Sequence, residues 1–199
     1  MNEIINGDNV EVLKTFDTEC IDLTVTSPPY DNLRTYKGHT WDFEGVANEL
    51  FRVTKQGGVV VWVVGDATIN GSETGTSFRQ ALYFMSIGFR LHDTMIWDKS
   101  MPPLTHNRYE QGFEYMFVFS KGKPRAFNAI RIPKKYLDNR KNTVIRREKD
   151  GSNDYGFRDK NVLDRIKGNI WYYPVGGGHC TKDKEAYKHP AIFPEKLAH

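Results

Sequence analysis

The chain has 199 residues, 39% of them hydrophobic and 13% aromatic, and a formal net charge of +3. That apolar content supports a packed core and excludes global disorder, and the length suits one medium domain or one domain with an insertion. No apolar run reaches the ~20 residues of a membrane-spanning helix, the N-terminus MNEIINGDN lacks signal-peptide features, and two cysteines without a framework pattern, Cys20 and Cys180, suit free thiols in a reducing cytoplasm.

Ile4-Ile5 reads as a short strand ending at Gly7-Asp8. Asp8 is placed to N-cap a helix, with Glu11 as the reciprocal partner of a capping box and Val10, Leu13 and Phe16 facing inward. The alternating Ile21-Leu23-Val25 predicts a strand heading into a core. A helix follows from near Asp42, with Phe43, Val46, Ala47 and Leu50 on one face, and Gly57-Gly58 is expected to stop it. Val59 to Val64 is continuously apolar and mostly β-branched, the pattern of a parallel strand covered on both faces. Gly65 to Thr76 reads as a loop. A third helix carries Phe78, Ala81, Leu82 and Met85 and ends at Gly88. Phe89 to Trp97 and Phe113 to Phe119 read as two further strands. Strands alternating with helices predict an α/β fold, a three-layer and mostly parallel sheet.

The rhythm fails after Ser120. Lys121 to Lys167 holds 15 Lys/Arg against 6 Asp/Glu, while the rest of the chain holds 13 against 19. An acidic body with a basic insert points to a polyanion-facing element, and a solvated surface loop is the plain alternative. Apolar character returns at Ile170 to Tyr173. The expected organisation is a catalytic core over 1–120, a basic insert over 121–168 and a C-terminal segment over 169–199.

The stretch DLTVTSPPYDNL, Asp22 to Leu33, ends a buried strand in a hydroxyl, two prolines and an aromatic ring. Ligands of open parallel sheets bind beyond the carboxyl ends of the strands. Pro28 and Pro29 stiffen the backbone and hold Ser27 extended. A fixed side-chain oxygen and exposed carbonyls accept N–H groups, and Tyr30 adds a flat face beside them. Together they suit a planar ring with an exocyclic amine; a strand-ending turn with Tyr30 in the core is the alternative.

VTSPPY resembles the catalytic motif of amino-group DNA methyltransferases, in the serine form typical of cytosine-N4 enzymes; adenine-N6 relatives more often have aspartate at the Ser27 position. INGDNVEVL, DFEGVANELFRVTKQGGVVVWVVGD, GFRLHDTMIWDK, RYEQGFEYMFVFSK and HPAIFPEKLA are similar, in order, to segments of the circularly permuted branch. The resemblance implies a fold of the S-adenosylmethionine-dependent methyltransferase type, permuted and incomplete, acting on double-stranded DNA. It implies that Tyr30 stacks on a flipped-out base while the Ser27 hydroxyl and the Pro28 carbonyl accept hydrogen bonds from its amine, with Pro29 completing the motif. It gives Asp8, Phe193, Pro194 and Glu195 to the cofactor, and the basic insert to target recognition. A restriction–modification setting is plausible company.

The family's Gly-rich cofactor turn, Asp-Pro-Phe then Gly-Ser-Gly, is absent from the sequence; in the permuted order it would follow HPAIFPEKL. Gly176-Gly177-Gly178 follows Pro174-Val175 rather than a buried strand and reads as a flexible loop. The expectation is a catalytic and recognition part ending before its cofactor half: a fragment, a natural truncation, or one member of a split pair. A homodimer or a complementing chain would supply the missing loop. Cytosine N4 is the expected target, adenine N6 the first alternative, and a non-catalytic DNA-binding module the second. Asp8 is equally explained as a helix cap, and Asp66 as a loop cap. Glu110 and Tyr115 border the base pocket or are ordinary strand-edge residues. His179, Cys180 and His189 lack a zinc spacing, so no metal is expected.

Overall fold

The computed structural model describes residues 3–30, 41–99, 109, 111–134, 143–157, 163–175, 181, 183, 185–188 and 193–198. In chain order the elements are α1 (Asn9–Lys14), β1 (Ile21–Thr26), α2 (Phe43–Val53), β2 (Thr54–Val64), β3 (Thr68–Ile69), β4 (Ser72–Glu73), α3 (Thr76–Ser86), β5 (Arg90–Asp98), β6 (Phe113–Ser120), β7 (Arg131–Pro133), β8 (Thr143–Arg147), β9 (Asn153–Phe157), β10 (Asp164–Ile166) and β11 (Ile170–Tyr172). A 3₁₀ turn, Glu185–Lys188, and α4, Glu195–Ala198, follow. The chain divides into two compact units: 1–126 with 169–199, and 127–168.

The first unit is built on a five-stranded sheet of order β1-β2-β6-β5-β11. β1 runs parallel to β2 and β11 parallel to β5, while β6 is antiparallel to both of its neighbours. Alternation sends Val60, Trp62 and Val64 to one face of β2, where they pack with Val10 of α1, Val46 and Leu50 of α2, and Ala81 and Phe84 of α3. Phe84 stacks on Phe119 at 4.6 Å and meets Trp62 edge-on at 4.9 Å. Val63, Trp97, Met116 and Leu197 form a second cluster, with Phe193 packed against it. β2 is thus covered on both faces, as its unbroken apolar run requires.

Several local expectations change. Ile4 and Ile5 form no strand and are exposed. Asp8 does cap α1, accepting from Val10 N and Glu11 N, but Glu11 turns to Lys14 at 2.7 Å instead of closing a capping box. α2 stops at Val53, where Thr54 turns extended and its hydroxyl donates to Leu50 O. β2 then runs through Gly57-Gly58. Gly57 has φ +77°, and a Cβ there would lie 2.4 Å from Arg125 Cγ, so it serves close packing within a strand and not a helix stop. On α3 the buried face is Ser77, Gln80, Ala81 and Phe84; Phe78, Leu82 and Met85 are exposed. Buried Gln80 accepts from Trp62 Nε1 at 2.9 Å, so a polar residue takes a core position that hydrophobicity alone assigns elsewhere.

Lys121 lies in the first unit. Lys121 is buried, with its ammonium on Phe51 O, on Glu19 and over the Phe51 ring. The second unit, 127–168, holds two antiparallel pairs, β7 with β10 and β8 with β9. Arg131 makes a two-pronged ion pair with Asp164 at 2.9 and 2.7 Å. The β8–β9 turn uses Asp150, which accepts from Ser152, and Gly151 at φ +85°. The Asp-Gly pair between Val144-Ile145 and Tyr155 is the hairpin signal in this stretch.

The α3 register makes a direct test. Phe84→Ala should lower unfolding free energy by about 3–5 kcal/mol, and Leu82→Ala by less than about 1, in urea titrations.

Candidate active site

Four segments meet at the carboxyl end of the sheet. β1 ends at Thr26 and leads to Ser27-Pro28-Pro29-Tyr30; β2 ends at Val64 and leads to Gly65-Asp66; β5 ends at Asp98 and leads to Lys99. β6 contributes its beginning, because it runs antiparallel: Tyr115 sits opposite Val64, and Glu114 opposite Trp97. An acidic side chain from late in the sequence thereby reaches the end of an early strand.

Ser27 is exposed, Pro28 is buried, and Pro29 and Tyr30 are half-buried. Ser27 Oγ lies 2.8 Å from the Tyr30 hydroxyl. That hydroxyl donates to Glu114 Oε2 at 2.5 Å, the length of a charge-assisted O–H···O⁻ bond. Lys99 Nζ donates to Glu114 Oε1 at 3.0 Å, and the two side chains are only 18% and 13% exposed. The result is one chain of contacts, Ser27–Tyr30–Glu114–Lys99. Gly65 lies beneath it: a Cβ there would sit 3.5 Å from Tyr30 Cδ2 and 3.6 Å from Glu114 Cγ. Of these four, the motif contains Ser27 and Tyr30; Glu114 and Lys99 come from outside it. A carboxylate in an otherwise apolar strand, and a lysine directly after one, were the available signals.

Neighbouring residues have structural tasks. Asp66 accepts from Ser77 N at 2.9 Å, from Thr74 Oγ1 at 3.2 Å and from Ser77 Oγ. It caps α3, whose own cap position is Gly75 without a side chain. Tyr115 packs against Phe78, Phe113 and Phe117. Burial pushes its phenol pKa up, with Asp66 and Glu73 adding to the shift. Glu110, the triple glycine, His179, Cys180 and His189 lie outside the described residues. Among the described residues no cluster suits a metal ion, and no helix is long and apolar enough to cross a membrane.

The structure brings Ser27 to Tyr30 together, and Phe193 to Glu195 together elsewhere. Phe193 meets Trp97 edge-on at 6.0 Å, Pro194 is buried, and Glu195 accepts from Thr181 Oγ1. Among the described residues no hydrogen bond or ring contact joins Asp8 to this segment.

Comparison with known proteins identifies the family. Residues 21–199 match the N6/N4 DNA methylase family. The chain is 54% identical over 182 residues to the orphan methyltransferase M.BamHII of Bacillus amyloliquefaciens, covering 89% of this chain and 69% of that one. It is 26% identical over 209 residues to the type II methyltransferase M.BglII of Bacillus subtilis, covering 99% of this chain and 54% of that one. The PvuII DNA methyltransferase, described as cytosine-N4-specific, superposes with a TM-score of 0.62 at 19% identity, over 96% of this chain and 65% of that one; this likeness is one of fold. The chain therefore belongs to the N6/N4 DNA methylase family and has the α/β fold of its methyltransferases. It spans between about half and about two thirds of these relatives.

The family's methyl donor is S-adenosylmethionine. Asp8 and Glu195 are exposed carboxylates, each with one oxygen taken: Asp8 Oδ1 by two backbone N–H groups, Glu195 Oε1 by Thr181. Their second oxygens suit an ammonium or ribose hydroxyls.

Tyr115 gives a test of the site's electrostatics. An acid whose folded pKa is raised binds more protons folded than unfolded, so stability falls as pH rises past the ordinary phenol value of about 10. Tyr115→Phe should flatten that alkaline loss in denaturation curves taken between about pH 9 and 11.

Proposed function

We propose that this chain methylates an exocyclic amine in DNA, with cytosine N4 as the target. The observation that carries the reading is the exposed Ser27 hydroxyl at a strand end, next to a tyrosine anchored by Glu114. A duplex hides the amine in its stack, so the base must flip out to reach such a site. Tyr30 offers a ring for stacking. Ser27 Oγ and the Pro28 carbonyl accept the amine's two N–H groups and favour a pyramidal nitrogen with its lone pair free. S-adenosylmethionine, when bound, supplies an electrophilic methyl group, and Asp8, Phe193, Pro194 and Glu195 are the residues of this chain proposed to hold it. The protein's contribution is then position and fixed dipoles, not a covalent intermediate.

Serine at position 27 favours cytosine by the motif pattern. A hydroxyl serves the adenine amine as well, which makes N6 the second reading. Residues 127–168 are proposed to contact the DNA. Arg146 and Arg147 on β8 and Lys149 in its turn are exposed and chemically suited to phosphates.

Tritium transfer from labelled S-adenosylmethionine to unmethylated DNA, with nucleosides resolved afterwards, tests the reaction. The expected product is N4-methylcytosine, abolished by Tyr30→Ala in a folded chain; N6-methyladenine alone would support the second reading, and no labelled nucleoside would overturn both. Replacing Arg146 and Arg147 by Ala should weaken DNA binding and reduce the slope of log affinity against log salt by about 2, one unit per lost phosphate contact. An unchanged slope would place the phosphate contacts elsewhere.

A further inference from the structure

A serine hydroxyl is an ambiguous hydrogen-bonding group: it carries one hydrogen to give and lone pairs to receive. An amine about to be methylated needs an acceptor at its N–H. A hydroxyl that points its own hydrogen at the amine nitrogen would occupy the lone pair that must attack. Something has to decide which way the Ser27 hydrogen points.

The contacts around Tyr30 make that decision. A carboxylate can only accept. The Tyr30 hydroxyl has one hydrogen, and at 2.5 Å from Glu114 Oε2 that hydrogen lies toward Glu114. Ser27 Oγ is 2.8 Å from the same hydroxyl oxygen. With the Tyr30 hydrogen committed, only the Ser27 hydrogen can fill that contact. The Ser27 lone pairs are left facing outward, on an exposed residue. Lys99 holds the far oxygen of the carboxylate, Oε1, at 3.0 Å and keeps Glu114 oriented.

We propose that Glu114, held by Lys99, is a positioning residue that acts through Tyr30 to make Ser27 an obligate hydrogen-bond acceptor for the target amine. This rests on the amine-methylation reading above. It explains how a serine does here the work for which a carboxylate has no second option: the carboxylate stands two hydrogen bonds away and sets the direction of the chain.

The proposal makes an unusual demand on variants. In Glu114→Gln, Lys99 has only N–H groups to offer, so the amide turns its oxygen to Lys99 and its NH₂ to Tyr30. The Tyr30 hydrogen then swings to Ser27, and the Ser27 hydrogen is driven toward the amine. The chain is reversed with almost no change in shape. In Ser27→Asp, one tyrosine hydrogen sits between two carboxylates and satisfies only one. Combining the two changes restores a consistent chain. The amide introduced at position 114 donates to Tyr30, Tyr30 donates to the carboxylate introduced at position 27, and that carboxylate accepts from the amine.

The full chain and these three variants are compared for transfer of labelled methyl to unmethylated DNA. Each single change should lower kcat by about tenfold or more, the scale of losing one fixed dipole, with KM for DNA held within about twofold. The double variant should run at least about tenfold faster than Glu114→Gln. A double variant no faster than Glu114→Gln, or a Glu114→Gln chain with wild-type kcat, overturns the proposal. If the unaltered chain transfers no methyl group, the amine-methylation reading fails instead, and the chain direction is read by proton NMR. A protected, downfield Tyr30 hydroxyl resonance, assigned by its loss in Tyr30→Phe and absent in Glu114→Gln, supports the arrangement. Its absence from the unaltered protein overturns it.

Discussion

The hydrogen bond from the Tyr30 hydroxyl to Glu114 ties the end of β1 to the start of β6, passing over the end of β2. Gly65 lies beside it, where an added Cβ would meet both side chains at 3.5 and 3.6 Å, ordinary van der Waals contact. Ser27 on one side and Lys99 on the other complete the line. Four side chains from three separate stretches of sequence become one polar unit. Such a unit fixes its members' rotamers and hydrogen directions together, the property a site needs when its chemistry is mostly placement.

That unit depends on a topological detail. In a purely parallel sheet every strand would offer its last residues to the site. Here β6 runs against its neighbours, so its first residues lie beside the final residues of β2 and β5. The aromatic face of β6 meanwhile packs under α2 and α3, with Phe117 and Phe119 in the core and Tyr115 on its edge. One strand therefore both anchors the core and delivers a carboxylate. On the opposite face, Trp97 and Met116 receive Phe193 and Leu197, which docks the C-terminal segment onto the same sheet.

The sequence showed the parts whose physics is local. Ile21 to Val25, Val59 to Val64 and the α2 stripe each announce their element by period and composition, and Ser27 to Tyr30 announce a rigid acceptor at a strand end. The methylase family could be named from motifs in order, and the family match agrees. What stayed hidden depended on partners distant in sequence. Gln80 takes a core position on α3 where Trp62 offers it an N–H, a pairing that hydrophobic content does not show. Lys121 looks like the start of a basic insert, yet its ammonium is held by the body through Phe51 and Glu19. Glu114 and Lys99 reach Tyr30 only through the sheet order, which no local pattern of sequence displays.

The most direct test of this account needs neither DNA nor cofactor. It is a double-mutant cycle on folding stability with Tyr30→Phe, Glu114→Ala and the pair, by urea denaturation. A hydrogen bond to an ionised carboxylate that organises the strand ends should give a coupling energy of about 1–3 kcal/mol. Additivity within about 0.5 kcal/mol would mean that the two side chains do not act on each other, and the polar line from Ser27 to Lys99 would have no organising member.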